Sequence, residues 1–301
     1  MTYVATLIAA KGTRLTDDLI ARAAAALPQA TDIQWLASGV AADIGFIPRE
    51  PADRQQLTDH LRAALAAAPV DIAIQPLADR RKKLLVADMD STMIGQECID
   101  ELADLVGLKA HVSAITERAM RGEIAFEPAL RERVALLKGL PASVVSDVIA
   151  TRITPTPGAR ALIGTMRAHG AHTVLVSGGF SLFTREIAEM IGFDENHANT
   201  LLVENGTFTG LVEEPILGKE AKLDTLLEVA RYLQLPLAQT MAVGDGANDL
   251  AMIGRAGLGV AYHAKPAVAA AAHVRIDHGD LTALLYLQGY RREEFAESHE
   301  Q

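Results

Sequence analysis

Residues 84–92 read LLVADMDST, an apolar strand that runs into two carboxylates, Asp88 and Asp90. Residues at i and i+2 of an extended chain project to the same side, so the two aspartates aim at one point. Two like charges that close repel each other. In a protein interior both stay ionised only with positive charge between them, and an all-oxygen pair suits a hard cation such as Mg²⁺. The same residues also suit an Asx turn or a helix cap after a strand, because Asp and Ser favour such turns.

Length and composition bound what this strand belongs to. At 301 residues the chain has room for two domains, and half of it is apolar while only 4% is aromatic, an α/β composition. The formal net charge of −10 speaks against nucleic acid or an anionic membrane surface as a standing partner. Cys98 is the single cysteine, which leaves no intramolecular disulfide or Cys-rich zinc site and fits a reducing compartment. It reads as a buried thiol and not as a nucleophile. No targeting signal shows in the opening YVATLIAA, and the apolar stretch around residues 61–70 is Ala-rich, too short to span a bilayer and broken by Pro69. A cytoplasmic protein with no membrane segment is expected.

Ahead of the strand, residues 2–76 carry a pattern of their own. YVATLIAA reads as a strand, LTDDLIARAAAAL as a helix started by Thr16, DIQWLAS and ADIGFIP as two strands, residues 51–67 as a second helix and VDIAIQ as a last strand. The order βαββαβ is the ferredoxin-like arrangement, and the pattern resembles the small regulatory modules called ACT domains. That resemblance implies a dimerising, structural or amino-acid-binding role, and a homodimer is expected. The basic run 80–83 reads as an exposed linker, which places an ACT-like α+β domain over 1–80 and a second domain over 81–301.

Behind the strand, residues 97–138 and the segments EPALRERVALLKGL and ASVVSDVIATRI keep helical periodicity up to Pro155 and Pro157. They predict a helical cap inserted over about residues 98–155, set above the carboxyl end of a parallel sheet where it excludes water and reads the substrate. From Gly158 the βα alternation resumes. The strand AHTVLVS ends in Ser177-Gly178-Gly179 and opens into a helix, offering a hydroxyl, open amides and a helix N-terminus to phosphate oxygens. A Gly pair after a strand is also an ordinary turn. Asn205-Gly206 between TLLVE and TFTGLVE predicts a β-hairpin protruding from the core. A helix over 219–233 carries Lys222, and the strand TMAVG ends in a second acidic cluster, Asp245-Gly246-Ala247-Asn248-Asp249. LGVAY and VRID complete a Rossmann-like sheet of about five parallel strands, with ligand expected at its carboxyl edge. The polar tail 291–301 is expected to fray.

Carboxylates for a cation, amides for an anion and a lysine between them thus stand at three strand ends. In chain order DMDST, SGG with its helix, Lys222 and GDGAND resemble the four motifs of the haloacid dehalogenase superfamily, over residues 84 to about 290. Within it, Glu97, Met120, Phe126, Arg133 and the segment RITPTPGA are similar to the phosphoserine phosphatases. The resemblance implies Mg²⁺-dependent hydrolysis of a small-molecule substrate, phosphoserine, through an aspartyl phosphate. It implies Asp88 as nucleophile, Asp90 as acid and base, and a metal held by Asp88, Asp245 and the backbone carbonyl of Asp90. Lys222, Ser177, Gly178 and Gly179 then surround the phosphoryl oxygens, with Asn248 beside them or capping the next helix. Arg133 pairs with the substrate carboxylate, Glu97 with its ammonium, Met120 and Phe126 line the cap, and Asp249 supports Lys222 and metal waters from behind. Taken alone, Arg133 also reads as a solvated helix face, and Met120 and Phe126 as cap core. A phosphotransferase, or a phosphatase of another small metabolite, has the same residues. A non-catalytic sensor has no need of an intact nucleophile, acid and metal set.

Overall fold

A computed structural model of the chain describes residues 2–48, 53–66, 68–120, 123–218 and 220–296. Strand β1 (Tyr3–Ala9) is buried along its whole length, and its alternation shows how one sheet serves two cores. Tyr3, Ala5, Leu7 and Ala9 cluster with α1 (Asp17–Ala26) and α2 (Arg54–Ala64), while Ile8 belongs to the core of the other sheet. Thr16 and Asp53 cap these helices, each accepting an amide hydrogen bond in the first turn. With β2 (Ala30–Ala37), β3 (Ala41–Phe46) and β4 (Val70–Pro76), β1 forms an antiparallel sheet in the order β2-β3-β1-β4, the ferredoxin-like arrangement.

The second sheet is built around β5 (Leu84–Asp88), after which the helical insertion α3 (Cys98–Asp104), α4 (Lys109–Met120), α5 (Phe126–Ala135) and α6 (Val144–Arg152) leaves the sheet. Alternation resumes with α7 (Ala159–Ala168), β6 (His172–Phe180), α8 (Ser181–Ile191) and β7 (Glu195–Asn199). The hairpin β8 (Leu201–Glu204) and β9 (Thr207–Val212) follows, then α9 (Glu220–Tyr232), β10 (Thr240–Gly244) and α10 (Leu250–Arg255). The last elements are β11 (Leu258–Tyr262), α11 (Pro266–Ala271), β12 (Val274–Ile276) and α12 (Ala283–Leu287). The order is β12-β11-β10-β5-β6-β7 with every pairing parallel. β5, β10 and β11 are buried at every position, as a parallel sheet covered on both faces requires. The chain winds one way from β5 and the other way from β10. That switch point opens a crevice at their carboxyl ends, between Asp88 and Asp245.

Four local expectations change. The sheet has six strands, because ENHAN, too polar to show apolar alternation, forms the edge strand β7. The hairpin turns on Asn205 and Gly206, with φ of 50° and 78°, but it does not protrude freely. It lies against the cap, with Gly139 N donating to Phe208 O, Phe208 N to Leu140 O and Ala142 N to Gly206 O.

The basic run 80–83 is not a solvated linker either, since Arg80 and Lys82 are buried. Arg80 donates through Nη1 and Nη2 to both oxygens of Asp43, through Nη2 also to Thr6 Oγ1, and through Nε to Leu287 O. Lys82 Nζ reaches the carbonyls of Asp79 and Ala238, both at 2.7 Å. Charge in a linker predicts solvent until a partner is known, and Asp43 sits on another strand. The tail is tied down at least to Ala296, whose amide donates to Thr165 Oγ1 at 2.8 Å, and the rest of the expected frayed segment lies outside the described residues. Among the described residues no helix is long and apolar enough to cross a membrane.

Candidate active site

Asp88 ends β5, and its Oδ1 accepts the amide of Met89 at 2.8 Å. The turn that follows departs from helical geometry at Asp90 and Ser91, and Ser91 has φ of 56°. A left-handed serine costs on the order of 1 kcal/mol. The conformation directs Ser91 Oγ to Glu97 Oε1, 2.7 Å away, at the entrance of the cap. Asp90 ties three elements together: Oδ1 accepts the Cys98 amide at the start of α3, and Oδ2 accepts Ser177 Oγ at 3.2 Å.

β6 includes Ser177, Gly178 and Gly179, and its register against β7 shifts across them, between Val176 and Phe180. The two glycines are a matter of space. A Cβ on Gly179 would lie 3.0 Å from Ser177 Oγ and 3.4 Å from Asp90 Oδ2, and one on Gly178 would lie 3.2 Å from Phe126 Cζ of the cap. Across the crevice, Gly244 leaves room for Asp249, whose Cγ would be 2.3 Å from a Cβ there.

Lys222, on α9, reaches the crevice from behind. Its Nζ is 2.6 Å from Asp88 Oδ1 and 2.6 Å from Asp249 Oδ1, and Asp249 Oδ2 accepts the Gly246 amide. Asp249 is therefore held at both oxygens. Burial alone would depress the Lys222 ammonium, but Asp249 and Asp88 more than offset it and hold its pKa above the ordinary value. Burial pushes Asp88 well up, with Asp249 adding to the rise and Lys222 opposing it. Burial also raises Asp90, against the pull of the Cys98 amide and Ser177 hydroxyl, and raises Asp245, with Asp249 as the next cause. Cys98 is buried, and burial and then Asp90 push its thiol up, so it stays protonated and unreactive.

Cap and sheet enclose a cavity of about 330 Å³, within the range of small-molecule sites. Asp88, Asp90, Ser177, Gly178, Gly179, Asp245 and Asn248 line its floor, and Glu97, Phe126 and Arg133 line its cap side. Arg133 Nη1 donates to Thr116 Oγ1 at 3.0 Å and Nε to Ala129 O, which fixes the guanidinium. Glu97 is raised to about 7, by burial and then by Asp90. Met120 ends α4, but its side chain lies outside the described residues. Thr116 and Lys265 also line the cavity and were not singled out from the sequence. Thr116 had no signal in its own segment; Lys265 stands directly before Pro266 at a helix start, which pattern alone reads as a cap.

The donor set fits a hard divalent cation. Asp88, Asp245 and Asp249 each offer an oxygen within 4.8 Å of the others, while Lys222 bonds to two of them. The carboxylate of Asp90 is outside this group, turned to Cys98 and Ser177, so only its backbone carbonyl remains for the expected ligation. Asp249 lies within reach of this group, with its two oxygens bonded to Lys222 Nζ and the Gly246 amide.

The haloacid dehalogenase-like hydrolase family matches over residues 85–254, which take in the β5 turn, the cap, Ser177, Lys222 and Asp249. The chain is 45% identical over 243 residues to the phosphoserine phosphatase of Streptomyces coelicolor, an alignment covering 79% of this chain and 59% of that enzyme. A haloacid dehalogenase family hydrolase of Salmonella enterica serovar Typhi has a crystal structure similar at a TM-score of 0.83 and 28% identity, over 95% of this chain and 98% of that one. A phosphoserine phosphatase solved as a phospho-aspartyl intermediate analogue is 42% identical with a TM-score of 0.64, over 68% of this chain and 98% of that one. The family match, the sequence identities and the structural similarity agree, and this chain belongs to the haloacid dehalogenase-like hydrolase family.

Proposed function

We propose that this chain is a phosphoserine phosphatase that works through an aspartyl phosphate on Asp88. One observation carries the reading: Asp88 and Asp90 at the floor of a cavity face Arg133 and Glu97 on its cap side. The pattern mirrors a phosphate monoester at one end of a substrate and an amino acid's carboxylate and ammonium at the other. The relatives described above carry that activity in their names.

Lys222 holds Asp88 through Oδ1, and a carboxylate oxygen of Asp88 attacks phosphorus as the bond from phosphorus to the serine oxygen breaks. Asp90, kept protonated further up the pH scale by burial, gives its proton to the departing alkoxide. Once serine has left, the Asp90 carboxylate takes a proton from the water that attacks phosphorus, and phosphate departs from Asp88. Ser177 Oγ and the amides of Gly178 and Gly179 surround the phosphoryl oxygens, with Asn248 beside them. Asp88, Asp245 and the Asp90 carbonyl are the proposed holders of Mg²⁺, supported by Asp249. When bound, this ion neutralises charge on the phosphoryl oxygens.

We assign residues 1–80 and 81–301 to separate domains, with the cap inserted over about 98–155. The exposed outer strand β2, with Ile33 47% exposed, is the ground for a homodimer, and a single buried thiol is the ground for the cytoplasm. Assay of O-phosphoserine against other small phosphate esters, with Mg²⁺ and with chelator, tests the function. Preferred release of phosphate from phosphoserine, lost in chelator and restored by Mg²⁺, is expected. Turnover of another ester with phosphoserine untouched would replace the substrate.

A further inference from the structure

Two short segments join the cap to the sheet, and they pair with each other. Ile94 bridges Pro155, Thr156 N donates to Met93 O at 2.9 Å, and Gly95 N donates to Thr154 O at 3.2 Å. Glu97 follows on the outgoing segment. The returning segment rests on a loop from near the end of the chain: Leu281 N donates to Pro157 O at 3.0 Å. Gly158, with φ of 85°, lies so close to this loop that a Cβ would stand 2.6 Å from Thr282 N.

That loop is fastened in turn by the antiparallel sheet. Asp71 of β4, 4% exposed, accepts the amides of Asp277 at 2.8 Å, His278 at 3.2 Å and Gly279 at 2.7 Å. Three amides on one buried carboxylate fix a loop far more firmly than one neutral hydrogen bond does. The contacts therefore run without a gap from β4 through 277–282 to 157–158 and the paired cap segments.

We infer that Asp71 is a positioning residue for the cap: through the loop 277–282 it sets where the hinge segments, and with them Glu97, lie over the sheet. None of its contacts reaches the cavity floor, so it acts on substrate reading and not on the chemistry at Asp88. The kinetic half of the test rests on the phosphoserine reading. The exchange half does not.

In the full-length protein, Asp71→Asn is expected to raise KM for phosphoserine about 5- to 10-fold, and to change turnover of a small ester lacking ammonium and carboxylate by less than about two-fold. Amide hydrogen exchange is expected to quicken at 277–282 and at 154–158 while β5 and β10 keep wild-type protection. Asp71→Glu, which keeps the charge, should recover part of the KM. Gly279→Ala loosens the same contact without removing charge, since its Cβ would lie 3.2 Å from Asp71 Oδ2, and it should reproduce the split even where Asp71→Asn fails to fold. Equal losses on both substrates, or exchange that quickens at 277–282 and not at 154–158, would overturn the inference and leave Asp71 a fastener of the antiparallel sheet alone. If phosphoserine is not a substrate of the wild type, the exchange pattern still decides the role of Asp71.

Discussion

Two of the places where this molecule buries charge treat it in opposite ways. Between the two sheets, Arg80 meets Asp43 through two nitrogens, with Thr6 Oγ1 and the carbonyls of Tyr286 and Leu287 taking its remaining hydrogen bonds. One cation faces one anion, and every partner belongs to the chain. At the carboxyl edge of the parallel sheet stand four carboxyls, Asp88, Asp90, Asp245 and Asp249; Lys222 pairs with Asp88 and Asp249, and burial pushes Asp88, Asp90 and Asp245 up. Folding completes the first cluster. The second has more negative charge than its lysine can balance, and that excess is the mark of a site built to receive something charged.

The sharpest way to break this contrast is Asp88→Asn. It should lower kcat by at least about 10³-fold, because the amide cannot serve as nucleophile. The unfolding midpoint in chelator should shift little, because the surplus side loses a charge it was strained to hold. A variant keeping a tenth of wild-type turnover would take the role from Asp88. Arg80→Ala should do the reverse. Leaving Asp43 buried without its cation costs about 3–5 kcal/mol, readable as a lower urea midpoint, with kcat of the folded fraction far less affected than by Asp88→Asn. A loss below about 1 kcal/mol would place the pair in the class of solvent-screened surface bridges.

Arg133→Ala tests the cap side, where charge waits for a partner. It should cost about 10²-fold in kcat/KM for phosphoserine and spare a small aryl phosphate that has no carboxylate. Equal losses on both would make Arg133 a structural residue of α5. The smallest effect belongs to Glu97. Its folded-state carboxyl lies at about 7 against an ordinary 4.5, so the folded protein binds this proton more tightly than the unfolded chain does. Its contribution therefore favours the fold below about pH 4.5 to 7 and weakens as pH rises through that window. In metal-free protein the melting temperature of Glu97→Gln should lack that decline. An unchanged pH profile in the variant would put the raised carboxyl elsewhere.

The crevice at the carboxyl edge of the parallel sheet was legible in the residues because its signals are local. An apolar strand ending in Asp88-Met89-Asp90, glycines beside Ser177 and a second acidic turn at 245–249 each announce themselves within a few positions, and Asn205-Gly206 does the same for the hairpin. What stayed hidden depends on partners distant in the chain. Arg80 looked solvated because nothing nearby reveals Asp43, and Asp71 looked like an ordinary strand residue because its amides lie at 277–279. β7 was missed for a different reason: a polar edge strand buries too little to leave a period-two trace. Thr116 acquires a role only through Arg133, one helix away.

The hairpin has a consequence for inheritance. It leaves the core well after the cap has closed, yet Phe208 is hydrogen-bonded to Gly139 and Leu140, and Gly210, with φ of 81°, lets Lys138 and Ala135 at the end of α5 come close. Arg131 of the cap also pairs with Glu214 just past the hairpin. The cap and the surface it rests on are thus encoded in two separate stretches of the gene. A graft of 98–152 from a relative would set foreign helices on a floor shaped for others, so exchange of specificity by recombination has to carry 201–214 along or repair the 139–142 and 206–208 contact afterwards.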